Sequence, residues 1–189
     1  MVKVCDCFPE LKDITDARER RYRSYPDKPA PEGPRSFVEV KVTSIGQLNE
    51  LVDCKKSGYK FIISEPVHVG GQNCAPTPLE FLLSGAVGCY AAVFAFYAAK
   101  LGVNYESFEA VARTNFDVRG HMMPDAPPSG FQKVTIAIDV KSDAPPEQLC
   151  EIERLALAGC PGIATLRDPV AVETTLTVTP AGRQAAAVA

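Results

Sequence analysis

The sequence predicts an α+β protein in which antiparallel strands are arranged around one long apolar helix. Two observations carry this. Segments with strand and helix periodicity follow one another in the order β-β-β-α-β-β-α-β, without the regular βαβ alternation that a parallel sheet requires. Between Phe81 and Ala99 there is no charged residue, and from Ala86 to Ala99 every residue is apolar or Gly. A helix that is apolar all round has to be covered all round, so the rest of the chain is organised about it.

Composition bounds the possibilities. The chain has 189 residues, 46% of them hydrophobic, and a formal net charge of −3. That balance predicts one globular domain and provides no basic field for nucleic acid. The expected organisation is an irregular N-terminal arm over residues 1–36, a folded domain over 37–180 and a frayed tail over 181–189. The uncharged run is as long as the ~18 residues of a membrane-span candidate. It is, however, rich in Ala, Gly and Ser and opens on a cap rather than a Lys/Arg flank, so no membrane association is expected. Met1–Glu10 is short and interrupted by charge, which is not a signal pattern. The seven cysteines, an odd number without a secretory signal, predict reduced thiols in the cytoplasm rather than a disulfide scaffold.

Taken in order, the arm carries a basic cluster at Arg18–Arg23 (RERRYR), read as a solvated helix face or loose arm rather than an anion site. Cys5 and Cys7 form a Cys-x-Cys pair, but with two His in the chain and no second pair at zinc spacing, no metal is expected. Phe37–Thr43 alternates through Val38, Val40 and Val42, a strand; Gln47–Val52 is a second and Tyr59–Ser64 a third, with Gly58 in the turn between them. Thr77, Pro78 and Glu80 form a helix start with a capping box, and Gly102 is its stop. Ser107–Asp117 and Val134–Lys141 alternate and make a hairpin with a long tip, Val118–Gly130, that holds His121, Met122 and Met123. Pro145-Pro146 opens a helix over Glu147–Ala158, Cys160-Pro161 breaks it, and a further helical turn follows. Val170–Val178 alternates again as a last strand.

Two thiols stand out by context. Cys89 lies mid-helix among Gly85, Gly88, Ala91 and Ala92, whose small side chains leave room for another molecule or another helix. Cys160 begins a Cys-Pro break, where a helix start favours thiolate. On these grounds alone both are better read as small buried hydrophobes, the commonest fate of a free Cys.

The stretch GGQNCAPTPLEFLLSGAVGCYAAVFAFYAAKLGV resembles the OsmC/Ohr family of thiol peroxidases, with a Gly-rich loop, a Pro-Leu-Glu start and a central helix bearing a cysteine. DVRG at Asp117–Gly120, GFQ at Gly130–Gln132, SDAPPEQL and the Cys160-Pro161 break are similar to an OsmC-like subgroup. The resemblance spans about Phe37 to Val178. It implies an intertwined homodimer, with antiparallel sheets from both chains wrapped around two long central helices. It also implies a chemistry in which Cys89 attacks an organic hydroperoxide, Cys160 closes a disulfide with it, and an external dithiol of lipoyl type restores both, without metal, flavin or other cofactor. Where relatives carry a Glu ten positions before the first cysteine, this chain has Leu79; Glu80, one position on, is the carboxylate assigned to the site, and it serves only a site across a dimer interface. The matching Arg is absent, with Arg119, Lys55, Lys56 and Glu65 as substitute charges. The competing reading is a non-enzymatic dimer of the same fold that binds a small apolar ligand or senses redox state.

Overall fold

The computed structural model describes residues 8–23, 25, 36–123 and 125–178; Cys5, Cys7 and the tail 181–189 lie outside the described residues. In chain order the elements are α1 (Phe8–Arg23), β1 (Val40–Gly46), β2 (Asn49–Cys54), β3 (Lys60–Ser64), α2 (Pro78–Leu101), β4 (Ser107–Asn115), β5 (Lys133–Lys141), α3 (Pro146–Gly159) and α4 (Pro161–Arg167). Short 3₁₀ turns at Val67–Val69 and Val118–His121 sit in the β3–α2 and β4–β5 connections.

The long helix forms as its ends dictate. Thr77 Oγ1 accepts the Glu80 N–H at 3.2 Å while Glu80 Oε2 accepts the Thr77 N–H at 2.7 Å, a closed capping box with Pro78 at the first position. At the other end Gly102 turns left-handed at φ 69°, and its N–H reaches the carbonyls of Ala98 and Ala99. Lys100 in the last turn pairs with Glu19 at 2.5 Å, which ties α1, lying within the N-terminal arm, to α2.

Two antiparallel sheets flank this helix. One is β1-β2-β3, with Val42 opposite Val52 and Val52 opposite Phe61; the other is β4-β5, with Ala112 opposite Ile136. The β1–β2 turn runs through Gly46, Gln47 and Leu48, all at positive φ, and displaces the second strand by two residues from its predicted start. The core lies where α2 meets α3, α4 and β4. Tyr90, Phe94 and Ala98, one face of α2 at i, i+4, i+8, pack with Ile152, Ala156 and Ile163, and the Phe94 and Phe108 rings lie 4.9 Å apart.

The predicted strand at Val170–Val178 does not form: these residues take no regular structure, and Val172 and Leu176 are 84% and 87% exposed. Within this one chain the segment joins neither the β1-β2-β3 sheet nor the β4-β5 sheet. The expectation that α2 is covered all round is likewise only half met. It exposes Leu82 and the small residues Gly85, Gly88 and Ala92 along one stripe, and only 22% of its most apolar window is buried. The helix is long and apolar enough to cross a membrane by length and composition; α1, α3, α4, β3 and β4 pack on it here. Every residue of β1 is exposed.

Candidate functional site

The site is built at the contact of α2 with the α3–α4 corner. Cys160 ends α3 and starts α4, with extended φ/ψ of −80° and 116°. Pro161 forces that break, since it cannot donate to α3 and suits the first turn of α4. The Cys160 Sγ then accepts the Ile163 N–H at 3.5 Å as the cap of α4. Gly162 lets α4 come close to α2. A Cβ there would sit 3.1 Å from Cys89 Cβ and from Ala86 Cα, so a hydrogen at this position is what permits the approach.

That approach brings Cys89, half-buried in the middle of α2, to Cys160, which is only 1% exposed. Both thiols are free. Burial pushes the Cys160 thiol above its ordinary range; the Ile163 and Gly162 N–H groups pull it down, and the neighbouring Cys89 pushes it further up. Cys89 packs against the core cluster that contains Cys160, and two adjacent thiols can exchange between dithiol and disulfide.

The other residues singled out from the sequence are not brought to this point. Glu80 stands at the start of α2, nine residues or ~13 Å along the axis from Cys89. Its carboxylate is held by the Thr77 N–H and hydroxyl, which keep it below the usual range. Arg119 closes a fork on Asp117, with Nη2 to Oδ2 at 2.6 Å. Lys55 pairs with Asp53 at 2.6 Å, and Lys56 reaches Ser36 Oγ and lies over the Phe37 ring. Glu65 uses backbone groups to hold the loop before α2: its N–H donates to Leu48 and its carbonyl accepts from Asn73. Among the described residues no three His, Cys, Asp or Glu side chains converge as metal ligands.

Two features escaped the sequence reading. Gly162 looks like any residue after a Cys-Pro. Tyr90 disappears into the apolar run of α2, yet it is 1% exposed and its hydroxyl, fully buried, meets no hydrogen-bond partner among the described residues. Tyr90 also lines a cavity of about 430 Å³ between β5 and the α3–α4 corner.

A long cysteine-bearing helix, clasped by antiparallel sheets and met by a second cysteine at a helix corner, defines a class of small α+β proteins. The model of that class, described as OsmC-like protein, matches residues 70–175, more than half of the chain, and the chain belongs to this family. Solved structures agree on the fold. An OsmC-like protein from Mycoplasma pneumoniae superposes with a TM-score of 0.60 at 14% identity, covering 70% of this chain and 88% of that one. An OsmC-like protein of unknown function from Vibrio cholerae gives 0.56 at 18% identity, covering 69% and 94%. An organic hydroperoxide resistance protein OsmC from Legionella pneumophila gives 0.52 at 18% identity, covering 70% and 90%. A comparison with curated protein sequences finds no match.

Proposed function

We propose that the protein is a thiol-dependent peroxidase that reduces organic hydroperoxides in a cytoplasmic defence against oxidative stress. The observation that carries this reading is the close approach of Cys89 and Cys160 across the α2–α4 contact. The Cys89 sulfur, as thiolate, attacks the distal oxygen of the hydroperoxide. The O–O bond breaks, the alcohol leaves with a proton, and Cys89 becomes a sulfenic acid. Cys160 attacks that sulfur, water leaves and a Cys89–Cys160 disulfide forms. An external dithiol, of lipoyl type, reduces the bridge by two exchanges and leaves as its own disulfide. The setting of Cys89 among Ala, Val, Phe94 and Phe96 favours bulky apolar hydroperoxides over hydrogen peroxide.

The working form is a homodimer. Three unpaired features support it: the exposed Leu82–Gly85–Gly88–Ala92 stripe, the wholly exposed β1, and the alternating but unpaired residues 170–178. Each is what one chain leaves for another to cover. In that dimer Glu80 contributes its carboxylate to the partner's site. The legionella relative's description as an organic hydroperoxide resistance protein points the same way.

The test is peroxide consumption with dihydrolipoamide, wild type beside Cys89→Ser. Activity lost in the variant supports the reading; equal activity in both overturns it. Peptide mapping after one equivalent of hydroperoxide should find the Cys89–Cys160 bridge.

A further inference from the structure

We propose that the cleft between α1 and α2 binds a small aromatic anion, whose planar ring lies against Tyr22 and Phe96 and whose phosphate or carboxylate group is held by Arg18, Arg23 and Lys100. The cleft has a volume of about 450 Å³ and is lined by these five residues and Glu19. That volume falls in the ~300–1,000 Å³ range of small-molecule sites. The RERRYR cluster supplies one wall; its letters do not show that an aromatic ring and a cation of α2 stand opposite it. α1 lies outside residues 70–175, the segment that the family model matches. Phe96 and Lys100 are seven and eleven positions along α2 from Cys89, or ~10.5 and ~16.5 Å along the axis, so the cleft is apart from the thiol contact.

Charge sets the sign of the ligand. Three cations face one carboxylate in this cleft. Glu19 is shared by Arg23 and Lys100, each at 2.5 Å. The hydrogen bond from Lys100, then that from Arg23, holds its carboxyl below the ordinary range. Glu19 therefore stays charged and pins both cations at the wall, but it cannot neutralise both. Arg23 and Lys100 also sit in the last turns of their helices, where a cation answers the negative end of the dipole. Arg18 has neither explanation. It lies before the last turn of α1 and makes no ion pair among the described residues; its guanidinium rests over the Tyr22 ring, 5.9 Å from the centroid. A guanidinium so placed is held by the ring yet keeps planar N–H donors for an oxyanion. The ring of the ligand follows from the rest of the wall. Tyr22 is 48% exposed and Phe96 half-buried, so aromatic surface stands open at the cleft. An inorganic ion would leave that surface in water, whereas a flat ring covers it. An uncharged or cationic ring would leave Arg18 unanswered.

The test is calorimetric titration of the full chain at neutral pH and low salt with two aromatic anions, phenyl phosphate and benzoate, beside inorganic phosphate and benzyl alcohol. Saturable binding of either aromatic anion is expected, and the tighter of the two names the anionic group. Inorganic phosphate, which has no ring, and benzyl alcohol, which has no charge, should bind at least about threefold more weakly. Arg18→Gln and Tyr22→Leu should each weaken the aromatic anion roughly 3–10-fold. Both variants place good helix formers at exposed helical positions, so the fold is kept. Arg154→Gln removes the same charge from α3, which carries no part of the cleft, and should leave the affinity unchanged. The proposal is overturned by no saturable binding of either aromatic anion up to about 10 mM. It is equally overturned if inorganic phosphate or benzyl alcohol binds within threefold of the better aromatic anion, if Arg18→Gln or Tyr22→Leu weakens binding less than threefold, or if Arg154→Gln weakens it as much as Arg18→Gln.

Discussion

Replacing Gly162 with Ala puts a methyl group 3.1 Å from the Cys89 Cβ and the Ala86 Cα, and 3.2 Å from the Ala86 carbonyl oxygen. Carbon pairs rest at about 3.5–4.0 Å, so the new group is several tenths of an ångström too close to two backbone-anchored atoms at once. Neither is the end of a flexible side chain, and α4 has to retreat from α2. Overpacking of this kind costs about 1–3 kcal/mol. The helix propensity of Ala over Gly offsets at most ~1 kcal/mol of it. A net loss of about 0–2 kcal/mol remains with the full offset, which lowers the midpoint of thermal unfolding by up to about 8 °C for a chain of this size. The retreat also draws Cys160 away from Cys89, so bridge formation after one equivalent of hydroperoxide should slow. Unfolding at one fixed protein concentration and quenched-flow alkylation of the thiols read the two effects separately. If Gly162→Ala is as stable as wild type to within 0.5 kcal/mol and closes the bridge at the wild-type rate, the claim that this glycine sets the thiol approach is wrong.

Gly88→Ala tests the dimer, since within one chain a Cβ there meets nothing within 4 Å; a lone helix would gain ~1 kcal/mol from the change, whereas a partner helix seated on the stripe should make the dimer dissociate at higher concentration in sedimentation equilibrium. Thr77→Ala should cost about 1 kcal/mol in urea unfolding by opening the cap of α2; because the folded Glu80 carboxyl is held below 4.5, its own share is present above that pH and is lost as the solution is acidified through the folded value. Cys160 behaves in the opposite sense: its thiol is raised above 9.0, so its contribution is full below pH 9 and falls as pH climbs through the folded value. In a variant whose other cysteines are replaced, the urea midpoint should therefore be level up to about pH 8 and decline above 9, with iodoacetamide labelling of Cys160 slow at neutral pH.

Much of this architecture is legible in the amino-acid order because it is local. The α2 ends follow from Thr77, Glu80 and Gly102, and the α3–α4 corner from Cys160-Pro161, since caps and breaks depend on residues a turn apart. The strands were readable by alternation, with errors of two or three residues where the turn at Gly46–Leu48 sets the register. What sequence could not reach depends on distant partners. Val170–Val178 has a strand's alternation but joins no sheet, because alternation records which faces are apolar and not which neighbour a strand pairs with. The pairing of Cys89 with Cys160 came from a family resemblance, while the reason that they meet, a missing Cβ at Gly162, is a matter of packing between elements. The unmet hydroxyl of Tyr90 is equally invisible in a run of apolar letters.

The cap on α4 has one more consequence. The atom that holds the Ile163 N–H is the same sulfur that is proposed to be oxidised. Once that sulfur is bonded to Cys89 it is a poorer acceptor in a different place, so the first turn of the helix loses its fastening whenever the bridge closes. The amide proton of Ile163 thus becomes a gauge of oxidation state: its hydrogen exchange with solvent should quicken on oxidation and slow again on reduction. A single resonance would follow the redox cycle of the molecule without a label, a substrate or a dye.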